Sequence, residues 1–271
     1  MRFHLIMPVF NGAAFLDAAI RSVRAQSWDD WRLTILDAES QDGSDKIAAR
    51  HCEDDSRISL RTGPDAGQYD ALRQGFDHAD GDILGWLNAD DLLAPWAFAS
   101  AAPAFREGRK WVTGQPAIWD AEGRMIAMRP IGFIGQHFLA NGWCHDDLLG
   151  CLQQESTFFS KTLWDGLSER EKDRFATLKL AGDFYLWKRF AEKAAPTVLP
   201  VALGGFRVHG SNRSRVDADA YLDETGLCGA KRLPRWLARF AKNTYDMLNA
   251  CAALIQFRRT AAHFHAELDE T

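Results

Sequence analysis

The chain lacks the sequence features that mark several common classes of protein. It has no CxxC pair, no GxGxxG or Walker A loop, and no apolar run of the roughly 18–20 residues that a membrane-spanning helix needs. Acidic residues outnumber basic ones by 37 to 32, and the formal net charge is −5. These absences disfavour a dinucleotide-binding enzyme, a P-loop enzyme and a generic nucleic-acid binder. The five scattered cysteines, odd in number, predict reduced thiols in a cytoplasmic protein.

The first 92 residues alternate between apolar runs and amphipathic segments. Strands are predicted at 3–7, 31–36, 58–61 and 82–87, and helices at 13–26, 44–52 and 69–79. Strands that alternate with single helices predict a parallel, right-handed βαβ arrangement, so the predicted fold class is α/β. Each strand ends at a proline, an acid or a turn. These ends converge on one edge of the sheet, where such folds bind nucleotides.

Beyond residue 92 the pattern is less regular. Short strands are predicted at 110–113, 124–128 and 197–203, and helices at 162–172 and 182–194. A basic tail follows, in which Asp246 is the only acid between residues 231 and 265. Its apolar and basic residues recur on different sides of one predicted helix: Leu233, Trp236, Leu237 and Phe240 against Arg235, Arg239 and Lys242. Such a helix either packs on the main body with a solvated basic face or lies on an anionic membrane surface.

Two adjacent carboxylates, Asp90 and Asp91, follow the apolar run at 84–87. Side by side they repel each other, and a cation between them would relieve the repulsion. Hard oxygen ligands suit Mg²⁺ or Mn²⁺, and these ions usually bring phosphates with them. The alternative is a helix N-terminus, where aspartate caps free backbone amides and interacts favourably with the helix dipole. Taken alone, the pair leaves both interpretations open.

Four ordered motifs occur in the first half of the chain: MPVFNG at 7–12, DAESQDGS at 37–44, DAGQYDA at 65–71 and LNADD at 87–91. Together they resemble the successive motifs of family 2 glycosyltransferases. Three later segments resemble the acceptor-side segments of that family: 154–159, 181–187 and 206–209. The resemblance covers roughly residues 3–215. It implies the Rossmann-like GT-A fold for residues 1–228, with a nucleotide-sugar-binding half at 1–92 and an acceptor-binding half at 93–228, and a C-terminal helical extension at 229–271.

The resemblance implies a donor site in which Asp37 binds the base or ribose of a nucleotide-sugar and Asp65 helps to hold the nucleoside. Asp90 is implied to bind Mn²⁺ or Mg²⁺, with Asp91 and His209 as further metal contacts. The other positions implied at the nucleotide-sugar are Pro8, Phe10, Asn11, Glu39, Gly67, Asp70, Asn88 and Ala89.

On the acceptor side, the resemblance implies that Asp183 is the catalytic base. Gln154, Glu155 and Trp187 are of types that hydrogen-bond hydroxyls or stack on sugars, so they are predicted to contact the acceptor, with a structural role as the alternative for each of them. The residues around Asp183 leave a second role open, because Gly-Asp-Phe at the start of a helix is also typical of an N-cap. One acid at the acceptor and no evident nucleophile predict direct displacement, with inversion at the sugar.

Two departures from the family pattern bear on the function. Asn88 takes the first position of the DxD motif, and Ala38-Glu39 replaces the usual second acid after the base-binding aspartate. An inactive carbohydrate-binding or scaffold protein is therefore one alternative to an active transferase. A nucleotidyltransferase that makes nucleotide-sugars is the other, although the usual basic, glycine-rich N-terminal loop is missing.

The function expected from the whole sequence is metal-dependent sugar transfer. The expected donor is a UDP-linked sugar, and the expected acceptor is a hydroxyl of a saccharide or lipid-linked saccharide in surface polysaccharide synthesis. We expect the reaction in the cytoplasm, with peripheral contact to the inner face of the plasma membrane if residues 231–265 lie on lipid.

Overall fold

The structure is a computed structural model that describes residues 1–145, 148–210, 212 and 218–269. In chain order, the first elements are β1 (Phe3–Val9), α1 (Ala13–Arg24), β2 (Trp31–Asp37), α2 (Ser44–Asp54), β3 (Ile58–Thr62), α3 (Gln68–Asp77), β4 (Ile83–Trp86), β5 (Leu92–Leu93), α4 (Ala97–Arg106), β6 (Trp111–Thr113), β7 (Ala117–Trp119) and β8 (Met125–Met128). They are followed by α5 (Gln136–Ala140), a 3-10 turn (Gln154–Ser156), β9 (Thr157–Ser160), α6 (Lys161–Asp165), α7 (Glu169–Thr177), α8 (Gly182–Lys193), β10 (Thr197–Val198), β11 (Gly204–Arg207), α9 (Ala218–Leu227) and α10 (Arg235–Asp269).

Seven strands form the central sheet, in the order β10-β6-β9-β4-β1-β2-β3. All neighbouring pairs are parallel except the two that involve β9, which runs antiparallel to β4 and to β6. Helices cover both faces of this mostly parallel sheet, so the predicted α/β fold is confirmed.

Alternate residues of β1 divide the hydrophobic core into two layers. Phe3, Leu5 and Met7 are buried on the side of α1 and α4. Ile6 points the other way and packs in the same layer as Phe76 of α3. Successive side chains of a strand point to opposite faces, so an apolar strand of this kind is stable only where helices cover both sides.

A smaller sheet, in the order β5-β11-β7-β8, adjoins the loop that follows β4. Its strand β11 runs antiparallel to β5 and parallel to β7. Gly204 of β11 lies so close to the backbone of Glu155 that a Cβ atom would overlap the carbonyl oxygen of that residue. This close packing brings the end of β11 against the Asp90–Asp91 loop.

The predicted elements of the first 92 residues are all present, with ends that differ by up to two residues. The single helix predicted at 162–172 is two helices, α6 and α7, because Ser168 begins α7 with a capping box to Glu171. The strand predicted at 197–203 is only two residues long. Four strands and three helices have no counterpart among the predicted elements: β5, β7, β9, β11, α4, α5 and α9.

The tail contains the predicted helix, and one face of α10 packs on the main body. The ring of Tyr245 lies edge-on to Phe133 and Phe138, at centroid distances of 5.7 and 6.1 Å. The side-chain oxygen of Asn249 accepts hydrogen bonds from the backbone N–H groups of Gly132 (3.1 Å) and Phe133 (3.0 Å). In the part of the chain that the structure describes, no helix is both long and apolar enough to cross a membrane.

Candidate active site

The carboxyl ends of β1 and β2 interlock at one edge of the sheet. Val9 lies opposite Asp37, the last residue of β2. Asn11 adopts a left-handed conformation, with φ of +52°, which asparagine tolerates better than most residues. Its N–H donates to Ser40 Oγ and its side-chain oxygen accepts from the Gln41 N–H, both at 2.9 Å. The first two sequence motifs therefore form one connected loop structure.

One of the two carboxylate oxygens of Asp37 accepts no hydrogen bond from the described residues. Its side chain is buried, and Oδ2 accepts a hydrogen bond from the Ser40 N–H at 3.1 Å. Oδ1 is also buried, but it has no hydrogen-bond partner among the described residues. A buried polar atom without a partner costs about 1–3 kcal/mol, so this oxygen is suited to an N–H or O–H group of a ligand. Nearby, Phe10 and Glu39 are exposed and Pro8 is half-buried.

The loop between β3 and α3 is held by its own acids. Asp65 accepts a hydrogen bond from the Gly67 N–H at 2.8 Å, and Asp70 accepts one from the Ala66 N–H at 3.0 Å. The Lys179 ammonium donates to the Ala66 carbonyl. Gly67 has φ of +126°, a conformation that glycine adopts without strain. The loop therefore presents a fixed acidic surface with one cation beside it.

Asp91 is fully buried and both of its oxygens are used within the protein. Oδ1 accepts the Arg207 N–H at 2.9 Å, and Oδ2 accepts from the side-chain amides of Asn88 (3.1 Å) and Gln154 (3.3 Å). Burial raises the pKa of Asp91 well above its ordinary value. This residue therefore fixes the loop after β4, and Asn88 also accepts a hydrogen bond from Gln68 at 2.8 Å.

Asp90 faces the other way, with its side chain 34% exposed. Its Oδ2 lies 3.0 Å from Nε2 of His209, and the side-chain nitrogen of Asn212 lies 2.9 Å from the same ring nitrogen. The amide of Asn212 is oriented by the backbone, because its oxygen accepts from the His209 N–H and its nitrogen donates to the Arg207 carbonyl. The imidazole ring stacks on Phe15 at 4.3 Å. The carboxylate of Asp90 thus faces Nε2 of His209, whose ring is fixed by Asn212 and Phe15.

This pair fits a divalent cation that shares its coordination with phosphate. Among the described residues, no three or more His, Cys, Asp or Glu side chains are grouped as a metal site. Mg²⁺ commonly takes only one or two carboxylates from the protein and completes its shell with substrate phosphates and water, and imidazole is a common ligand of the softer divalent ions. Asp90 and His209 supply a donor set of that size.

Arg207 is a site residue for which the sequence predicted no role. It is only 2% exposed, and its Nε and Nη2 have no hydrogen-bond partner among the described residues. Burial lowers its pKa, and the negative charges of Asp91 and Asp90 oppose this effect. It therefore supplies a buried positive charge behind the two acids. The only signal in the sequence is its place two residues before His209, where an isolated arginine is ordinarily a surface residue.

Glu155 brings a further acid to this region from the 3-10 turn that precedes β9. Its side chain is buried, and Oε1 has no hydrogen-bond partner in the described part of the chain. Burial raises the pKa of Glu155 to about 8, and the charges of Asp183 and Asp90 act in the same direction. At pH 7 the side chain of Glu155 is therefore protonated in most molecules, and it can donate a hydrogen bond.

Asp183 lies in the first turn of α8 and is half-buried. The N-cap is Ala181, and Asp183 Oδ1 accepts the N–H of Phe184 at 2.7 Å, so the N-cap role left open by the sequence does not apply. Gly182 allows the helix to begin against the ring of Tyr69, which a Cβ atom would overlap. Burial, followed by the charge of Asp183, raises the pKa of Tyr69. The charge of Asp183 also raises the pKa of Glu155, so these two acids influence each other.

The prediction that Trp187 contacts the acceptor is wrong. Its side chain is 2% exposed and lies between Trp86 and Trp111, with ring centroids at 5.3 and 5.7 Å. Both faces of the indole are covered, so none is left to stack on a sugar. Gln154 is also buried and bound to Asp91. Of the three residues predicted at the acceptor, Glu155 is the one whose pKa is raised by the charge of Asp183.

The fold and its acidic edge define the GT-A class of structure. TarS 1–349 of S. aureus, solved in complex with UDP-GlcNAc, has a TM-score of 0.63 at 12% identity, over 90% of this chain and 71% of that one. The mannosyltransferase PcManGT from Pyrobaculum calidifontis, in complex with GDP-Man and Mn²⁺, has a TM-score of 0.63 at 17% identity, over 99% and 79% of the two chains. At these identities the likeness concerns the fold.

The sequence profile of Glycosyl transferase family 2 matches residues 4–165, and the chain belongs to that family. The O-antigen biosynthesis protein RfbC of Myxococcus xanthus is 36% identical over 104 residues, which are 37% of this chain and 8% of that protein. A PGL/p-HBAD biosynthesis glycosyltransferase of Mycobacterium bovis is 36% identical over 92 residues, 34% of this chain and 36% of that protein. The GalNAc(5)-diNAcBac-PP-undecaprenol beta-1,3-glucosyltransferase of Campylobacter jejuni is 27% identical over 130 residues, 46% and 40% of the two chains. The matches span less than half the length of each of these relatives.

Proposed function

We propose that the protein is a glycosyltransferase that moves a sugar from a UDP-linked donor to a hydroxyl of a saccharide or lipid-linked saccharide, with inversion and with Mn²⁺ or Mg²⁺. The observation that carries this proposal is a set of acidic groups near one edge of the sheet: Asp37 ends β2, Asp90 lies beside His209 after β4, and the charges of Asp90 and Asp183 both act on Glu155. Membership of family 2 supports the reaction class. The names of its relatives, one of them an O-antigen biosynthesis protein, support polysaccharide synthesis as the setting.

The donor is proposed to bind across the ends of β1, β2 and β4. Asp37 holds the base or ribose through its unpaired oxygen, and Asp65 holds the nucleoside from the next loop. We propose that the other donor-site residues contact the donor or fix the loops around it: Pro8, Phe10, Asn11, Glu39, Gly67, Asp70, Asn88 and Ala89. UDP is proposed because TarS, which has a similar fold, is solved with UDP-GlcNAc.

Asp90 and His209 are proposed to hold the cation together with the donor diphosphate. When bound, such a cation supplies Lewis-acid stabilisation of the charge that builds on the leaving diphosphate. Arg207 adds a fixed positive charge behind the acids. Because both oxygens of Asp91 are already used in hydrogen bonds, we assign Asp91 to positioning Asp90, which revises the direct metal contact that the resemblance implied.

Asp183 is proposed to accept the proton of the acceptor hydroxyl. The acceptor oxygen bonds to the anomeric carbon of the sugar while the bond from that carbon to the diphosphate oxygen breaks. The nucleoside diphosphate leaves, and the configuration at the anomeric carbon inverts. Glu155, protonated beside this base, can donate a hydrogen bond to a sugar hydroxyl.

We propose residues 1–228 as the transferase domain, with its donor half at 1–92 and its acceptor half at 93–228, and residues 229–271 as an appended helical region. A lipid-linked acceptor is proposed because the C. jejuni relative is named for an undecaprenol-linked one. The reaction would then take place in the cytoplasm at the inner face of the plasma membrane, with residues 231–265 in contact with lipid.

A panel of nucleotide-sugars in the presence of Mn²⁺ tests this function. We expect a UDP-sugar to raise the melting temperature by about 5–10 °C at 100 times its Kd and to be slowly hydrolysed, with release of UDP. A nucleotidyltransferase would instead release diphosphate from a nucleoside triphosphate and a sugar phosphate. An inactive binder would bind the nucleotide-sugar without releasing nucleotide. Either result would contradict transfer, whereas release of GDP in place of UDP would contradict only the proposed nucleotide.

The buried Glu155 carboxyl predicts a pH dependence of stability in metal-free buffer. Its folded-state pKa, about 8, lies above the ordinary value of 4.5, so the folded protein holds a proton that the unfolded chain releases. Stability should therefore fall as pH rises between these two values, by up to about 1.4 kcal/mol per pH unit. Glu155→Gln removes this loss, and we expect the melting temperature of the wild type to drop several degrees further than that of the variant between pH 5.5 and pH 7.5.

The matched control is Glu53→Gln, which removes the same charge at an exposed position of α2. Its melting curve should follow that of the wild type at every pH. Parallel pH profiles for the wild type and Glu155→Gln would show that Glu155 ionises normally in the folded protein.

A further inference from the structure

Helix α10 presents an apolar face to solvent. Four of its large side chains are between 61% and 74% exposed: Trp236, Phe240, Met247 and Leu254. Their spacings of four, seven and seven residues place them on one side of the helix. Tyr245 and Asn249, which pack on the main body, lie on the opposite side. Asn243 is a polar residue on this side, between Phe240 and Met247. No described part of the chain covers the exposed side, and a row of large exposed apolar side chains of this kind marks an interaction surface.

A cavity of about 780 Å³ lies beside this face, between α9, the start of α10 and the segment around His145. Its charged lining contains five basic side chains and two acidic ones: Lys231, Arg232, Arg235, Arg239 and Lys242, with Asp219 and Asp223. One of these acids, Asp223, lies 3.9 Å from Arg232. The balance of charge in the cavity is positive, which suits an anion such as phosphate.

The cavity and the apolar face border each other along α10. Arg235 and Arg239 directly precede Trp236 and Phe240 in the sequence, so each exposed aromatic side chain has a basic side chain about a quarter-turn away. All four of these residues are exposed. A ligand that satisfies both surfaces at once must carry an anionic group next to an apolar one.

We propose that α10 docks on an anionic phospholipid membrane, with lipid phosphates in this cavity and the apolar face at the boundary between headgroups and acyl chains. Charge complementarity selects this occupant: residues 231–265 contain seven basic residues and one acid, in a protein whose net charge is −5. A second copy of the chain, paired face to face, would bring the same basic groups together and repel. The inference rests on the membrane setting proposed above and adds the residues and the lipid chemistry that would produce it.

The docked surface is linked to the proposed catalytic base. His145 lines the cavity, and its Nε2 donates a hydrogen bond to the Lys231 carbonyl at 2.8 Å. The same imidazole lies edge-on to Phe184, at a centroid distance of 6.2 Å, and Phe184 directly follows Asp183. Docking through this cavity would therefore hold the acceptor half of the active site next to the membrane, where a lipid-linked acceptor is found.

Sedimentation of the full chain with vesicles tests the proposal. We expect at least about tenfold stronger binding to phosphatidylglycerol-containing vesicles than to pure phosphatidylcholine vesicles. Arg235→Gln with Arg239→Gln should weaken binding to the anionic vesicles roughly 30-fold, at about 1 kcal/mol per charge. Trp236→Ser with Phe240→Ser should weaken it at least about tenfold, because two aromatic side chains no longer enter the interface. The control pair Lys46→Gln with Arg50→Gln, which removes two charges from the exposed side of α2, should bind as the wild type does.

Three results would overturn the inference: equal binding to the two kinds of vesicle, an equal loss in the control pair, or displacement of the protein by millimolar inorganic phosphate, which would indicate a site for the free anion. Hydrolysis of the soluble donor needs no membrane, so it separates this inference from the proposed function. Normal UDP release without vesicle binding would contradict the membrane-docking proposal alone. Vesicle binding without nucleotide release would contradict the transferase proposal alone.

Discussion

Replacing Asp90 with alanine is expected to lower kcat/KM for sugar transfer by at least about 10³-fold. The variant keeps Asp91 and its three hydrogen bonds, so the loop after β4 stays in place. It loses the partly exposed carboxylate beside His209 that would hold the cation. We therefore expect UDP binding in the presence of Mn²⁺ to weaken to the level that the wild type shows in EDTA. Nucleotide-release kinetics and calorimetric titration with UDP, with and without Mn²⁺, measure both effects.

The control for this variant is Asp165→Ala, which removes an exposed carboxylate paired with Lys161. It should retain full activity, because a surface ion pair of this kind contributes little. Unchanged turnover of Asp90→Ala, or a wild-type rate that is insensitive to EDTA, would remove the metal assignment.

Asp183→Asn is expected to keep the affinity for the donor and to lose transfer by about 10²–10⁴-fold in kcat. The substitution preserves the shape of the side chain and an oxygen that can accept the Phe184 N–H, so the start of α8 should not move. It removes the carboxylate that would take the proton from the acceptor. Binding of UDP by titration, set against transfer measured with a saccharide acceptor, separates the two effects.

Asp45→Asn provides the matched control, because it also removes a carboxylate from the first turn of a helix. Any general effect of a weaker interaction with the helix dipole should appear in both variants. If Asp183→Asn transfers sugar at the normal rate, the base lies elsewhere, and Glu155 is the next acid to test.

The sequence predicted the first half of the fold well because each element there is long and has one clear period. The strands β1 and β2 are seven residues each. β2 ends at Asp37 as predicted, whereas β1 continues through Pro8, its predicted stop, to Val9. The later strands are two to four residues long. Segments of that length carry no period of their own. β5 and β9 pair with strands that are distant in the sequence, and β7 pairs with the distant β11 as well as with its neighbour β8.

The sequence predicted which residues lie near the site better than it predicted which way their side chains point. Asp37 and Asp90 follow strands that end at the predicted edge. Two neighbouring aspartates look alike in a sequence, however, and contacts with β11, Asn88 and Gln154 decide that Asp91 is the buried one. For Trp187, helical spacing predicts which residues share its face of the helix. It does not predict that this face packs against the buried indole rings of Trp86 and Trp111.

The reversed direction of β9 has a consequence for how substrate choice can change. Because β9 runs antiparallel to β4, its first residue lies at the edge of the sheet where β4 ends. Glu155, in the turn directly before β9, is therefore placed at this acidic edge. The strands that carry Asp37 and Asp90 reach the same edge from the opposite end, through compact strand–helix units. The connection that precedes β9, by contrast, runs from residue 129 to residue 156. Its buried residues, among them Leu139 and Leu152, pack in the same core layer as Ile6 of β1 and Trp86 of β4, and its Gln154 donates a hydrogen bond to Asp91. Under the proposed function, selectivity for the receiving sugar is therefore free to diverge through the exposed residues of this connection, while selectivity for the activated sugar is retained.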